Sequence, residues 1–119
     1  MDLTQKKCVP CERGTLPFNN KQIQEYLAQL KTSWDVVEEN PSIEQDRFRA
    51  RKIKRQFKFK NFRESMDFVN KVAEIAEQEG HHPDIYIFYN KVVMELWTHA
   101  IHGLSLNDFI IARKIEELE

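Results

Sequence analysis

The run from Pro83 to His99, PDIYIFYNKVVMELWTH, constrains this chain more than any other stretch. It is rich in β-branched and aromatic residues, and its apolar positions recur with a period of two. Asn90-Lys91 in its middle supplies a two-residue hairpin loop. Folding there sets residue 89 opposite 92, 87 opposite 94 and 85 opposite 96, so Ile85, Ile87, Tyr89, Val92, Met94 and Leu96 share one face. That face is apolar throughout and demands a covering layer. The opposite face takes Tyr86, Phe88, Val93, Glu95 and Trp97, a mixed set that suits a shallow site or a contact between subunits.

The covering layer is legible as helices. Asn61 opens NFRESMDFVNKVAEIAEQEG, with Glu64 placed for a capping box and Gly80 for a left-handed C-terminal turn. Phe62, Met66, Val69, Val72, Ala73 and Ala76 form its expected buried stripe. An earlier helix follows Asn19 or Asn20 and carries Ile23, Tyr26, Leu27 and Leu30, and a last one is capped by the Ser105 to Asp108 segment. Trp34 to Glu38 reads as a strand closed by a turn at Pro41. Ile43 to Lys60 looks extended, with a change of apolar parity that predicts a bulge or break near Arg51. The expected fold is α+β and two-layered: a four-stranded antiparallel sheet with three helices on one face, in the order α-β-β-α-β-β-α.

At 119 residues, with 41% hydrophobic residues and eight Phe, the chain has material for one packed domain and no room for separate cofactor and substrate lobes. Residues 19–119 are read as that domain and residues 1–18 as a mobile leader. The leader's CVPC, Cys8 and Cys11, has no second CxxC to complete a tetrahedral zinc site and does not open a helix as a redox pair would. The start lacks the apolar block of a signal peptide and no run approaches a membrane span, so a cytoplasmic location is expected. A formal charge of −1 gives no global pull toward nucleic acid or anionic lipid.

The chemistry-bearing residues cluster at the open end of the hairpin. Extending the pairing sets His82 opposite His99, with His81 beside His82 and Glu77 one turn earlier on the helix. Imidazole exchanges protons near neutrality, and a neighbouring carboxylate, Glu77 or Asp108, can orient it. A surface loop is the ordinary reading of any one of these histidines, but their convergence favours a proton-transfer site. Zinc ligation is disfavoured, because adjacent residues of an extended segment point to opposite faces and Pro83 biases His82 toward extended geometry.

Glu77, His81, His82 and Pro83, followed by Tyr89, His99 and Asp108, resemble the signature of the pterin-4a-carbinolamine dehydratases, reinforced by GHHPDI and ELWTHAIHGLSLNDFIIA. The resemblance extends more loosely over residues 19 to 118. It implies dehydration of 4a-hydroxytetrahydropterin to quinonoid dihydropterin, recycling the pterin of aromatic amino acid hydroxylases, with no metal or organic cofactor. It implies His81 and His99 as the proton-transfer pair, Glu77 as their support, His82 in substrate binding and Asp108 in a binding or supporting role. Tyr89, on the expected core face, is read as structural. A homo-oligomer, dimer or tetramer, is implied, and an aromatic amino acid hydroxylase is a candidate partner. Two departures stand out: the interval from Trp34 to Phe59 is longer than the resemblance leads one to expect, and His102 stands where it leads one to expect glycine.

Eight of the 18 basic residues fall between Arg47 and Lys60 with no acidic residue among them. With Phe48, Phe57 and Phe59 interleaved they could imitate a nucleic-acid strand. A solvated, charged strand face that resists edge pairing is the preferred reading. The rival to an enzyme is a non-catalytic interaction module, a dimerisation cofactor or assembly factor on the same fold. The set Glu77, His81, His82, His99 and Asp108 speaks for the enzyme.

Overall fold

A computed structural model of the chain describes residues 3–9, 15–38 and 51–119. Its elements are α1 (Asn20–Leu27), β1 (Asp35–Glu38), β2 (Arg51–Lys58), α2 (Phe62–Glu79), β3 (Asp84–Phe88), β4 (Lys91–Leu96) and α3 (Leu106–Glu116). The strands form one antiparallel sheet in the order β1-β2-β4-β3. This is the expected α-β-β-α-β-β-α, α+β arrangement. The segment from 39 to 50, including most of the expected parity break, lies outside the described residues.

The helix ends follow their capping chemistry. Asn19 accepts a hydrogen bond from the Gln22 amide at 2.9 Å while the Gln22 side chain accepts one from the Asn19 amide at 3.0 Å, a reciprocal capping box for α1. Asn61 caps α2 through the Glu64 amide at 2.9 Å, and the Glu64 carboxylate reaches back to the Lys60 amide at 3.0 Å, one residue before the cap. Gly80 ends α2 at φ 65°, where a residue without Cβ avoids the left-handed penalty. That turn delivers His81, whose amide bonds to the Ala76 carbonyl at 3.2 Å.

The buried stripe of α2 is Ser65, Phe68, Val72 and Ala76, rotated about one position from expectation. Phe62 is 49% exposed and Ala73 is also exposed. Phe68 draws the helix round, because its ring packs between Phe57 at 4.8 Å and Phe59 at 5.0 Å. α3 is buried almost all round, with Phe109, Ile110, Ile111 and Ile115 at 0–1% exposure. It packs against α1, α2 and the leader. Each such side chain contributes roughly 1.5–3 kcal/mol of burial. Near its C-terminus the Glu116 carboxylate accepts from the Lys31 and Thr32 amides, the Thr32 hydroxyl and the Trp34 indole, tying α3 to the start of β1.

The hairpin turns one residue earlier than expected. Phe88 pairs with Lys91 and Ile87 with Val92, so the loop is Tyr89-Asn90. The reason is the neighbouring strand: Lys58 pairs with Lys91 and the Phe59 amide donates to the Asn90 carbonyl at 2.7 Å, which draws Lys91 into the sheet. The apolar face survives the shift, because both registers pair odd with even positions. Tyr89 leaves it, standing at φ 52° and 65% exposed rather than on the core face. Ile87, on the edge strand, is also partly exposed.

Where the sequence reading expects a mobile leader, residues 3–9 lie against the domain. Leu3 is 2% exposed within the core cluster. Cys11 lies outside the described residues.

Candidate active site

The αL turn at Gly80 projects His81 toward the N-terminus of α3. There the His81 ring Nε2 lies 2.6 Å from Oδ1 of Asp108, whose side chain has no exposed surface. Oδ2 of Asp108 accepts from the Thr98 hydroxyl at 2.8 Å and from the Ser105 amide at 3.0 Å. The Thr98 and Ser105 hydroxyls are 2.7 Å apart. The capping box of α3 therefore serves two purposes, since the carboxylate that closes it also holds His81. A carboxylate at a helix N-terminus is favourably placed toward the helix dipole, and partners on both oxygens offset its burial.

Beyond β4 the chain makes a short 3-10 turn at His99–Ile101, closed where Thr98 and Gly103 exchange backbone hydrogen bonds of 2.7 and 3.3 Å. Gly103 is required there, because a Cβ would lie 2.6 Å from Cβ of Pro17. His102 adopts φ 53°, a conformation suited to glycine, and is exposed. The His99 ring packs on Trp97 with centroids 4.0 Å apart. The Trp97 indole N–H donates to Asp84 at 3.0 Å, and the Lys52 ammonium lies 4.8 Å from the Trp97 ring centroid.

His81, His82 and His99 line one cavity of about 390 Å³, together with Trp97, Thr98 and Glu79. The three histidines thus converge, but not through the expected pairing. Asp84 pairs with Glu95, a register that does not set His82 opposite His99, and His99 lies beyond β4 in the turn. His82 bonds through Nε2 to Glu77 at 2.9 Å, with both side chains exposed. Glu77 reaches the cavity through His82 and does not line it. His81 and His82 engage different carboxylates, and among the described residues no three His, Cys, Asp or Glu side chains are grouped to hold a metal ion.

Thr98, Glu79 and the leader residue Val9 belong to this cavity and are not singled out by sequence, which reads Trp97 only as part of the mixed outer face and Cys8 only as half of the CVPC pair. Trp97 carries a local signal, two residues before His99. Val9 carries none, because the leader's contacts span about seventy to a hundred residues of chain. The Cys8 amide donates to Glu79 at 2.8 Å, and Lys114 pairs with the same carboxylate at 3.0 Å. Burial works against the Glu79 charge, yet the Cys8 amide and Lys114 outweigh it and hold this carboxyl below its usual range. Burial first, and the Glu79 charge second, push the Cys8 thiol up to about 12.

A family model for pterin 4 alpha carbinolamine dehydratase matches residues 16–118. A Legionella pneumophila (strain Corby) protein bearing that family name is 46% identical over 98% of this chain and 95% of its own. The mitochondrial pterin-4-alpha-carbinolamine dehydratase 2 of Arabidopsis thaliana is 43% identical over 99% of this chain and 59% of its own. Among solved structures, a transcriptional coactivator/pterin dehydratase from Brucella melitensis superposes with a TM-score of 0.70 at 30% identity, covering 86% of this chain and 97% of that one. A pterin dehydratase-like RuBisCO assembly factor of the alpha-carboxysome, at 18% identity and a TM-score of 0.56 over 74% of this chain and 90% of that one, shares the fold. No helix among the described residues is long and apolar enough to cross a membrane. With a match over residues 16–118 and relatives at this identity, the chain belongs to the pterin 4 alpha carbinolamine dehydratase family.

Proposed function

We propose that the protein dehydrates 4a-hydroxytetrahydropterin to quinonoid dihydropterin by histidine acid/base catalysis. The observation that carries this is the buried Asp108 carboxylate holding His81 at one wall of a cavity that His99 also lines. The reaction breaks the N5–H and C4a–O bonds, forms a C4a=N5 double bond and releases water. It asks for a base at N5 and an acid at the departing hydroxyl. A His81 ring that donates its Nε2 proton to Asp108 leaves Nδ1 as an acceptor. His81 and His99 are the proton-transfer pair, His82 binds substrate, Glu77 steadies His82, and Asp108 positions His81.

A cytoplasmic location, a single domain over residues 19–119 and a homo-oligomer belong to the same proposal. The outer sheet face supports assembly, since Tyr86 and Phe88 are 44% and 60% exposed. Sedimentation equilibrium at micromolar concentration should show more than monomer.

The activity is tested by the stopped-flow decay of freshly generated 4a-hydroxytetrahydropterin, with and without EDTA-treated protein. Acceleration is expected. Absence of acceleration from folded protein, with pterins of more than one side chain, would move the reading to a binding or assembly role on this fold.

A further inference from the structure

Part of the cavity wall is made by Cys8 and Val9, in a segment that the family match, beginning at residue 16, does not include. One side chain secures Val9. The Val9 amide donates to Oδ1 of Asn107 at 3.0 Å, and Nδ2 of Asn107 donates back to the Val9 carbonyl at 2.6 Å. The carboxamide thus takes up both backbone groups of Val9, as a neighbouring strand would. Asn107 is itself 5% exposed and precedes Asp108 on the first turn of α3. Cys8 is secured through Glu79 and through its thiol, which donates to the Asn107 carbonyl at 3.6 Å, and Leu3 is sunk in the core.

The result is an apolar side chain presented on a pinned backbone. Val9 is 65% exposed although its main chain is fully engaged, and it lines the same cavity as the three histidines. The reacting atoms of the substrate, N5 and C4a, must meet the histidines, and the remaining part that projects from C6, the carbon bonded to N5, must rest on the cavity wall beside them. We propose that the Cys8–Val9 strap is where that remaining part rests, so that Val9 is a specificity-determining residue for the group carried at C6 of the pterin and Asn107 positions it. This deepens the dehydratase reading and rests on it.

A contact made equally in the ground and transition states, as is expected of Val9 with the C6 group, contributes uniform binding, so its loss raises KM and leaves kcat. The test compares the parent protein with Val9→Ala and Asn107→Ala on two 4a-hydroxytetrahydropterins, one with methyl at C6 and one with a dihydroxypropyl chain. Val9→Ala alters an exposed side chain and keeps the fold available if Asn107→Ala does not.

For both variants KM should rise about threefold or more with the longer substrate, with kcat within about twofold. The methyl substrate should be affected less. The double variant should be no worse than Asn107→Ala alone, because Asn107 acts through Val9. Unchanged KM in Val9→Ala, or a fall in kcat at constant KM, overturns the proposal. Quenching of Trp97 fluorescence by a 7,8-dihydropterin with the longer chain separates the two readings. A parent that binds without turnover sinks the dehydratase reading, and the ratio of Kd between parent and Val9→Ala then decides the strap. A parent that neither binds nor turns over overturns both.

Discussion

The imidazole of His81 and the carboxylate of Asp108 meet at 2.6 Å across 27 residues of sequence, and they do so because two helix ends face each other. Gly80 terminates α2 in a left-handed turn that releases His81, and Ser105 caps α3 with Asp108 turned inward. The carboxylate has no surface of its own and no capacity to spare: its second oxygen is committed to Thr98 and Ser105. A carboxylate so placed fixes the orientation of the His81 ring.

Asp108→Asn keeps the shape of the cap and removes that charge. We expect kcat to fall by about 100-fold, with KM altered far less and a thermal midpoint close to that of the parent. Stopped-flow kinetics alongside calorimetry checks this, and unaltered kcat would remove Asp108 from the catalytic apparatus.

His99 is exposed and packs on Trp97, so its loss should cost little stability. His99→Ala is expected to lower dehydration by about 100-fold or more with the oligomeric state intact by sedimentation. Turnover equal to the parent's would refute the role given to His99.

Gly103→Ala tests the turn that carries His99. The new methyl would meet Cβ of Pro17 at 2.6 Å, so either the turn or the segment before α1 must move. A stability loss of about 1–3 kcal/mol is expected in urea unfolding, together with a fall in kcat. Full stability would show that Pro17 yields without cost.

Cys8 provides a pH signature for the docked leader. Its thiol ionises at about 12 in the folded protein against an ordinary 9.0. A raised value means that the folded state holds the proton more tightly, so the contribution to docking is complete below pH 9.0 and is lost as pH climbs toward about 12. At pH 8 the thiolate population should be roughly a thousandfold below that of a free cysteine. In a Cys11→Ser background, an aromatic disulfide reagent should therefore modify Cys8 slowly in the native protein and quickly in denaturant. Reaction at the free-thiol rate in the native protein would contradict the docked arrangement.

What the sequence determined by itself was local. Asn19, Asn61 and Ser105 start helices and Gly80 stops one, because each satisfies or releases backbone groups within a few residues. Period-two alternation over 85–96 assigned the sheet faces correctly even with the loop misplaced by one residue, since parity survives that shift. The histidine cluster was legible although the pairing that sets His82 opposite His99 does not form, because His81, His82 and His99 still lie at element ends that line one cavity.

The tertiary structure decided what depends on partners remote in sequence. β2 drew Lys91 into the ladder and expelled Tyr89 into the loop, and the rings of Phe57 and Phe59 turned α2 about its axis to bury Phe68 in place of Phe62. It also seated the leader. Asn107 and Glu79 are about a hundred and about seventy residues from Val9 and Cys8, and no periodicity or capping rule reaches that far. Such contacts form only when packing of α2 against α3 brings unrelated polar groups within hydrogen-bond range. For that reason the histidines that line the cavity could be read from the chain, while the leader residues that share its lining could be found only in the fold.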